Sequence, residues 1–266
     1  MYPTPHDQFD GGRPRLVLDR SFVLLDGVGE RTERRIWDQG VDTWDDFLGR
    51  DIVSPFSRAR KERADRTLEE AKAAVQRRAA DFFATRLPNR EVWRVYPSFR
   101  DEAVFLDIET TGLSRHSAVT VVGIARVDGF RALVRGRDLT RSELAKALEG
   151  ARMIVTYNGA SFDLPMLRYH YNVPALGLPH LDLRYLARRA GHVGGLKRVE
   201  RQLGLVRDRE FAMMTGEDAV HLWHLWDRRG NAKALDLLLR YNEADVVNLV
   251  EVADTLTDQV AGETFP

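Results

Sequence analysis

The sequence contains no cysteine. That absence excludes disulfides, thiolate zinc sites, iron–sulfur clusters and cysteine nucleophiles, so any metal has to be held by oxygen or imidazole. No apolar run approaches the roughly 18 residues a membrane span needs, and the opening MYPTPHDQFDGG carries no apolar stretch of the signal-peptide kind. A soluble, cytoplasmic protein without a membrane partner is the expectation. Net charge is missing as well, since 40 Lys and Arg meet 40 Asp and Glu. Phosphate binding is mainly electrostatic, so this balance argues against a uniformly basic surface and leaves only a local one open. Residues 1–100 hold 19 basic and 17 acidic side chains and the rest 21 and 23, an asymmetry too slight to decide anything.

The residues that are present have a globular character. With 266 residues, 44% hydrophobic and 30% charged, the chain can bury a sizeable core, and it is long enough for one large domain or two unequal ones. Residues 1–12 are polar, with two Pro and two Gly, and read as a loosely held tail. From Ser21 to Leu48 two short helical patterns flank the turn Leu25-Asp26-Gly27-Val28-Gly29, and a third helix follows Asp42 or Thr43 as cap. Pro55 to Arg86 reads as one long charged helix, with Ala64, Leu68, Ala71, Val75, Ala79 and Phe82 at three- and four-residue steps and a basic flank. Leu87-Pro88-Asn89 then breaks the pattern. The expected division is a helical domain over 1–88, a connector over 89–100 and a second domain over 101–266.

In that second part, strands are expected at Ala103 to Ile108, Ala118 to Val127 and Phe130 to Arg135, the last two joined at Asp128-Gly129. A helix from Thr140 to Leu148 leads to the buried strand Met153-Ile154-Val155. Helices then read at Leu164 to Tyr171, Leu196 to Leu203, Glu217 to Asp227 and Ala232 to Leu256, with a strand at His180 to Leu183. This order describes an α/β fold, a mixed sheet flanked by helices behind a small all-helical domain.

Three acidic clusters carry the chemistry. In Phe105-Leu106-Asp107-Ile108-Glu109-Thr110-Thr111-Gly112-Leu113 the strand period puts Asp107 and Glu109 on one face and Leu106 and Ile108 on the other. Adjacent carboxylates repel, and a hard divalent cation is the simplest partner for them. In Asn158-Gly159-Ala160-Ser161-Phe162-Asp163, Asn158 and Gly159 suit a turn with positive φ, and Asp163 stands at a helix start, as a ligand or as an N-cap. In Tyr241-Asn242-Glu243-Ala244-Asp245, Tyr241 and Asp245 share a helical face, either as a site or as a half-buried Tyr beside an exposed Asp. Asp182 at a strand end reads as a helix cap or as support for the acids. His221 and His224, flanked by Trp223 and Trp226, read as an amphipathic helix and not as metal ligands.

Taken together, D-x-E-T-T-G-L, N-G-x-x-F-D and Y-x-x-x-D, in that order, resemble the DEDD (DnaQ-like) 3′–5′ exonucleases of the ribonuclease H-like fold, in the subgroup with Tyr in its third motif. The resemblance covers about residues 101–256. It extends to the YprB-type sequences through the Gly-Leu-Lys-x-x-Glu stretch at Gly195 to Glu200. It implies Asp107, Glu109, Asp163 and Asp245 as metal ligands, Tyr241 as fifth catalytic residue, and phosphodiester hydrolysis with two Mg²⁺ or Mn²⁺ ions. Asp107 would bridge both ions, Glu109 and Asp245 would complete one site and Asp163 the other, and Tyr241 would orient the attacking water. Thr110 and Asn158 would lie along the nucleic acid. The substrate would be DNA or RNA, with a single-stranded 3′ end. Alternatives are a catalytically inactive nucleic-acid-binding protein and a structure-selective endonuclease on the same fold.

The N-terminal stretch Leu25 to Thr32 resembles a helix-hairpin-helix, which implies phosphate contact by the backbone around Gly27 and Gly29 and by Arg31, Thr32 and Arg35. The same hairpin would serve equally as packing.

Overall fold

A computed structural model describes residues 17–266; the expected polar tail lies outside the described residues. The first helices are α1 (Glu30–Trp37), α2 (Trp44–Leu48), α3 (Arg58–Gln76), α4 (Ala80–Ala84) and α5 (Tyr96–Phe99). α2 begins in a reciprocal capping box, with the Thr43 hydroxyl on the Asp46 amide and the Asp46 carboxylate on the Thr43 amide. Two expectations need correction. The arm before Gly27 is a series of turns, with the Leu25 amide on the Phe22 carbonyl and the Val28 amide on the Leu25 carbonyl. Phe22, Val23, Leu24 and Leu25 are all buried, and a helix buries one stripe and cannot enclose four consecutive residues against a single surface. The long helix expected over 55–86 is two helices, broken at Arg78, which adopts a left-handed φ of 55°. Arg78 pairs there with Glu102 and lies 4.5 Å over the Phe99 ring, while Phe83 enters the core. Tertiary docking overrides the helical propensity.

A buried charge network ties α1 to the segment before the sheet and to the helix at residue 189. Glu33 of α1 accepts from the Phe22 amide at 2.6 Å and from both terminal nitrogens of Arg94 at 2.9 Å. Arg94 also reaches Glu91 at 2.7 Å, and Glu91 is paired in turn with Arg189 at 2.7 Å. Apolar packing is continuous from Leu18 and Phe22 through Phe99 to Phe105, Val155 and Val252.

The sheet has five strands, β1 (Ala103–Thr110), β2 (Val119–Arg126), β3 (Gly129–Val134), β4 (Met153–Thr156) and β5 (His180–Asp182), in the order β3-β2-β1-β4-β5. β1, β2 and β3 pair antiparallel, while β4 and β5 run parallel to β1. This is the expected mixed sheet. The hairpin at Asp128-Gly129 forms one residue earlier than the sequence signal suggests: Arg126 pairs with Gly129, so Val127 and Asp128 make the turn.

The helices of this part are α6 (Arg141–Ala147), α7 (Asp163–His170), α8 (Leu183–Arg189), α9 (Leu196–Gln202), α10 (Arg209–Ala212), α11 (Gly216–Arg229) and α12 (Ala232–Thr264). α8 and α10 have no counterpart in the sequence expectation, and α12 runs past Leu256 to Thr264. α6 and α7 cover one sheet face over Val104, Leu106 and Ile108; α8 and α12 cover the other over Phe105 and Val155. Gly230, at a φ of 62°, closes α11, and Asn231 caps α12 through the Lys233 and Ala234 amides. Leu238, Val246, Leu249, Val252 and Leu256 of α12 are buried. Burial of each such side chain contributes about 1.5–3 kcal/mol, enough to offset the cost of carrying polar residues on the same face.

Candidate active site

Asp107 and Glu109 project from the end of β1 toward α12, while Leu106 and Ile108 enter the opposite core as the strand period requires. The ladder to β2 shifts register between Glu109 and Thr110, where β2 carries one extra residue, Thr120, so the regular pairing breaks where the acids emerge. α12 answers with Tyr241, Asn242 and Asp245. One oxygen each from Asp107, Glu109 and Asp245 lies within 4.8 Å of the others. Asp163, the first residue of α7, is not in that triad; its Oδ1 accepts from the Ile108 amide at 3.2 Å, so it is tied to β1 and does not cap its own helix.

The electrostatics are set by this crowding. Loss of water, then the Asp163, Glu109 and Asp245 charges in that order, push the Asp107 carboxyl well above the usual range. Burial and the neighbouring Asp245 raise Glu109 to about 8, and burial raises Asp163 to about 7. Asp245 is raised by burial too, against the pull of Arg207. The Tyr241 phenol is hydrogen-bonded to Asp245; burial and that carboxylate push its pKa upward, so it keeps its proton at neutral pH. Carboxylates that suppress one another's ionisation form a set with unspent affinity for a cation. An all-oxygen donor group of this kind fits a hard divalent ion, Mg²⁺ or Mn²⁺.

Several residues of the site escape sequence reading. Asn242 Nδ2 donates to Asp107 Oδ2 at 3.1 Å and is also bonded to Glu109, while its own Oδ1 has no partner among the described residues. It reaches the site because residue 123, opposite Asp107, is a glycine. A glycine inside the apolar strand VTVVGIAR is the one signal that could have marked a close approach there. Arg207, in the loop after α9, donates to Asp245 and pairs with Glu200. Lys197 stands 4.7 Å over the Tyr241 ring. Arg207 lies in no periodic pattern and shows nothing in the sequence.

The other expected residues have structural partners of their own or lie on the surface. The Thr110 hydroxyl donates to the Gly112 carbonyl at 2.7 Å and folds the loop after β1. Asn158 adopts a φ of 67° as its turn requires, and its Oδ1 accepts from Arg184 and from Ser161. Asp182 caps α8 through the Arg184 amide, as the helix-cap reading expects, and its carboxylate also holds the Asn158 and Ala160 amides of the turn after β4. Gly27 has a φ of 68° beside Arg60, whose guanidinium bonds the Asp26 carbonyl at 3.0 Å. Gly29 is the extended N-cap of α1. Arg31, Arg34 and Arg35 are exposed, with Thr32 half-buried between them. Trp223 is core. His221 and His224 join no metal-capable group among the described residues.

Comparison with known proteins matches residues 104–257 to the RNase_H superfamily, a span that contains every acid of the site. The chain is 28% identical over 185 residues to the uncharacterized protein YprB of Bacillus subtilis (strain 168), an alignment covering 62% of this chain and 44% of that protein. The chain thus spans less than half of that relative's length. No solved structure gives a significant match. Fold, placement of the acids and family match agree: the chain belongs to the RNase_H superfamily and carries an acidic group able to hold a metal ion.

Proposed function

We propose that the protein is a metal-dependent 3′–5′ exonuclease of the DEDD type with Tyr in its third motif, acting on DNA or RNA at a single-stranded 3′ end. The observation that carries this reading is the convergence of Asp107 and Glu109 from β1 with Asp245 from α12, the last hydrogen-bonded to Tyr241 one helical turn before it. Asp107, Glu109 and Asp245 would hold one ion, and Asp163 beside Asp107 would help to hold a second. Two bound Mg²⁺ or Mn²⁺ ions would supply an acidified water and neutralise the departing 3′ oxygen. The chain's own groups do the rest. Tyr241, protonated and fixed on Asp245, orients the water and is too weak an acid to serve as its base. Asn242 is hydrogen-bonded to both Asp107 and Glu109 and ties the two carboxylates together. The exposed arginines of α1 would guide the strand through phosphate contacts, with no base reading.

The test is incubation of the full chain with end-labelled single-stranded and duplex DNA and RNA in Mg²⁺ or Mn²⁺, then in chelator. Stepwise shortening from the 3′ end that vanishes in Asp107→Ala supports the reading. Binding without cleavage on every substrate would favour a nucleic-acid-binding protein, and internal cuts an endonuclease.

A further inference from the structure

Arg207 lies outside the acidic motifs, yet it is built into the site. Its side chain is only 6% exposed and its partner Glu200 2%. Nε and Nη2 take the two Glu200 oxygens at 2.9 and 2.7 Å, which leaves Nη1 for Asp245 Oδ1. Glu200 is fixed from α12 as well, because Asn248 Nδ2, one turn beyond Asp245, donates to it at 2.9 Å. The guanidinium is held on two atoms by Glu200 and offers the third to Asp245 Oδ1, a carboxylate that also accepts the Tyr241 hydroxyl.

We infer that Arg207, clamped by Glu200, is a positioning residue that fixes the Asp245 carboxylate for metal binding. The inference rests on the metal-centre reading of the proposed function. A carboxylate on a helix face can rotate about its side-chain bonds, and an ion gains affinity when its ligand is already oriented by a hydrogen-bonded neighbour. A planar fork spanning Glu200 and Asp245 does this; a flexible ammonium would supply the charge without the geometry.

Calorimetric titration of the full-length protein with Mn²⁺, without substrate, tests it, alongside thermal melting in chelator as a check of folding. Arg207→Gln is expected to weaken Mn²⁺ binding about tenfold or more, and Arg207→Lys not to restore it. Glu200→Gln leaves Arg207 in place but loosens its anchor, and is expected to weaken binding in the same sense. It carries the test if Arg207→Gln does not fold. Mn²⁺ binding in these variants as tight as in wild type, or tighter, overturns the inference while leaving the metal centre standing. Wild-type protein that binds no Mn²⁺ overturns both.

Discussion

Gly123 of β2 pairs with Asp107 of β1, and a Cβ at residue 123 would overlap Asn242 Oδ1 and come to 2.8 Å from Val246. The strand opposite the first acid thus has to lack a side chain for α12 to bring Asn242 against it. Gly123→Ala should push α12 away from the sheet, costing about 1–3 kcal/mol of stability by overpacking and most of the proposed nuclease activity. Urea denaturation and a cleavage assay read both, and a fully active, equally stable variant would show that the approach is not needed.

Asp107 sits among three other carboxylates, each of which raises the cost of ionising it or is raised with it. Asp107→Asn takes one ionisable carboxyl out of this set. In chelator the variant should be more stable than wild type by about 0.5–2 kcal/mol, the pattern of a site strained for function. It should also be inactive. Thermal melts with and without Mg²⁺ distinguish this from simple damage, since a damaged protein would melt lower in both.

The same groups set a pH dependence. Glu109 and Asp163 have folded pKa values of about 8 and about 7, above their ordinary 4.5 and 3.8. Across that interval the native state binds more protons than the unfolded chain, so stability contributed by these groups is present at low pH and declines as pH rises toward 8. In chelator the melting temperature should fall between about pH 5 and pH 8. Saturating Mg²⁺ should remove the decline, because bound cations take over from the protons. A melting temperature that rises steadily over this range in chelator would contradict the assigned crowding.

Tyr241→Phe keeps the ring under Lys197 and loses only the hydroxyl on Asp245. If the phenol orients the attacking water, kcat should drop about 10²-fold or more with KM nearly unchanged. A change confined to KM would point to substrate packing instead.

On α1, replacing Arg31, Arg34 and Arg35 together by Ser should leave the fold intact, as all three are exposed. Strand affinity should weaken, with the salt dependence of binding falling by about one unit of slope per lost phosphate contact. An unchanged slope would exclude the α1 face as a phosphate surface. Arg94→Met, in the same region, should instead cost about 3–5 kcal/mol, because it strands Glu33 as a buried charge and leaves Glu91 with Arg189 but without Arg94. Denaturation alone reports that change.

Much of this was legible in sequence for local reasons. The two-residue period of β1 put Asp107 and Glu109 on one face, the 3.6-residue period of α12 put Tyr241 with Asp245, and the turn at Asn158 and the cap at Thr43 announced themselves through φ preference and hydrogen-bonding side chains, although Gly159 does not share the positive φ expected for it. Those features depend on neighbours in the chain. The features that only the tertiary structure decided depend on distant residues. The helix over 55–86 breaks at Arg78 because Phe83 docks on the core and Glu102 claims the guanidinium. Likewise Asn242, Gly123, Glu200 and Arg207 become parts of one site only when α9, β2 and α12 meet. Period and propensity fix which residues share a face, but burial energy summed over the whole core decides which faces come together.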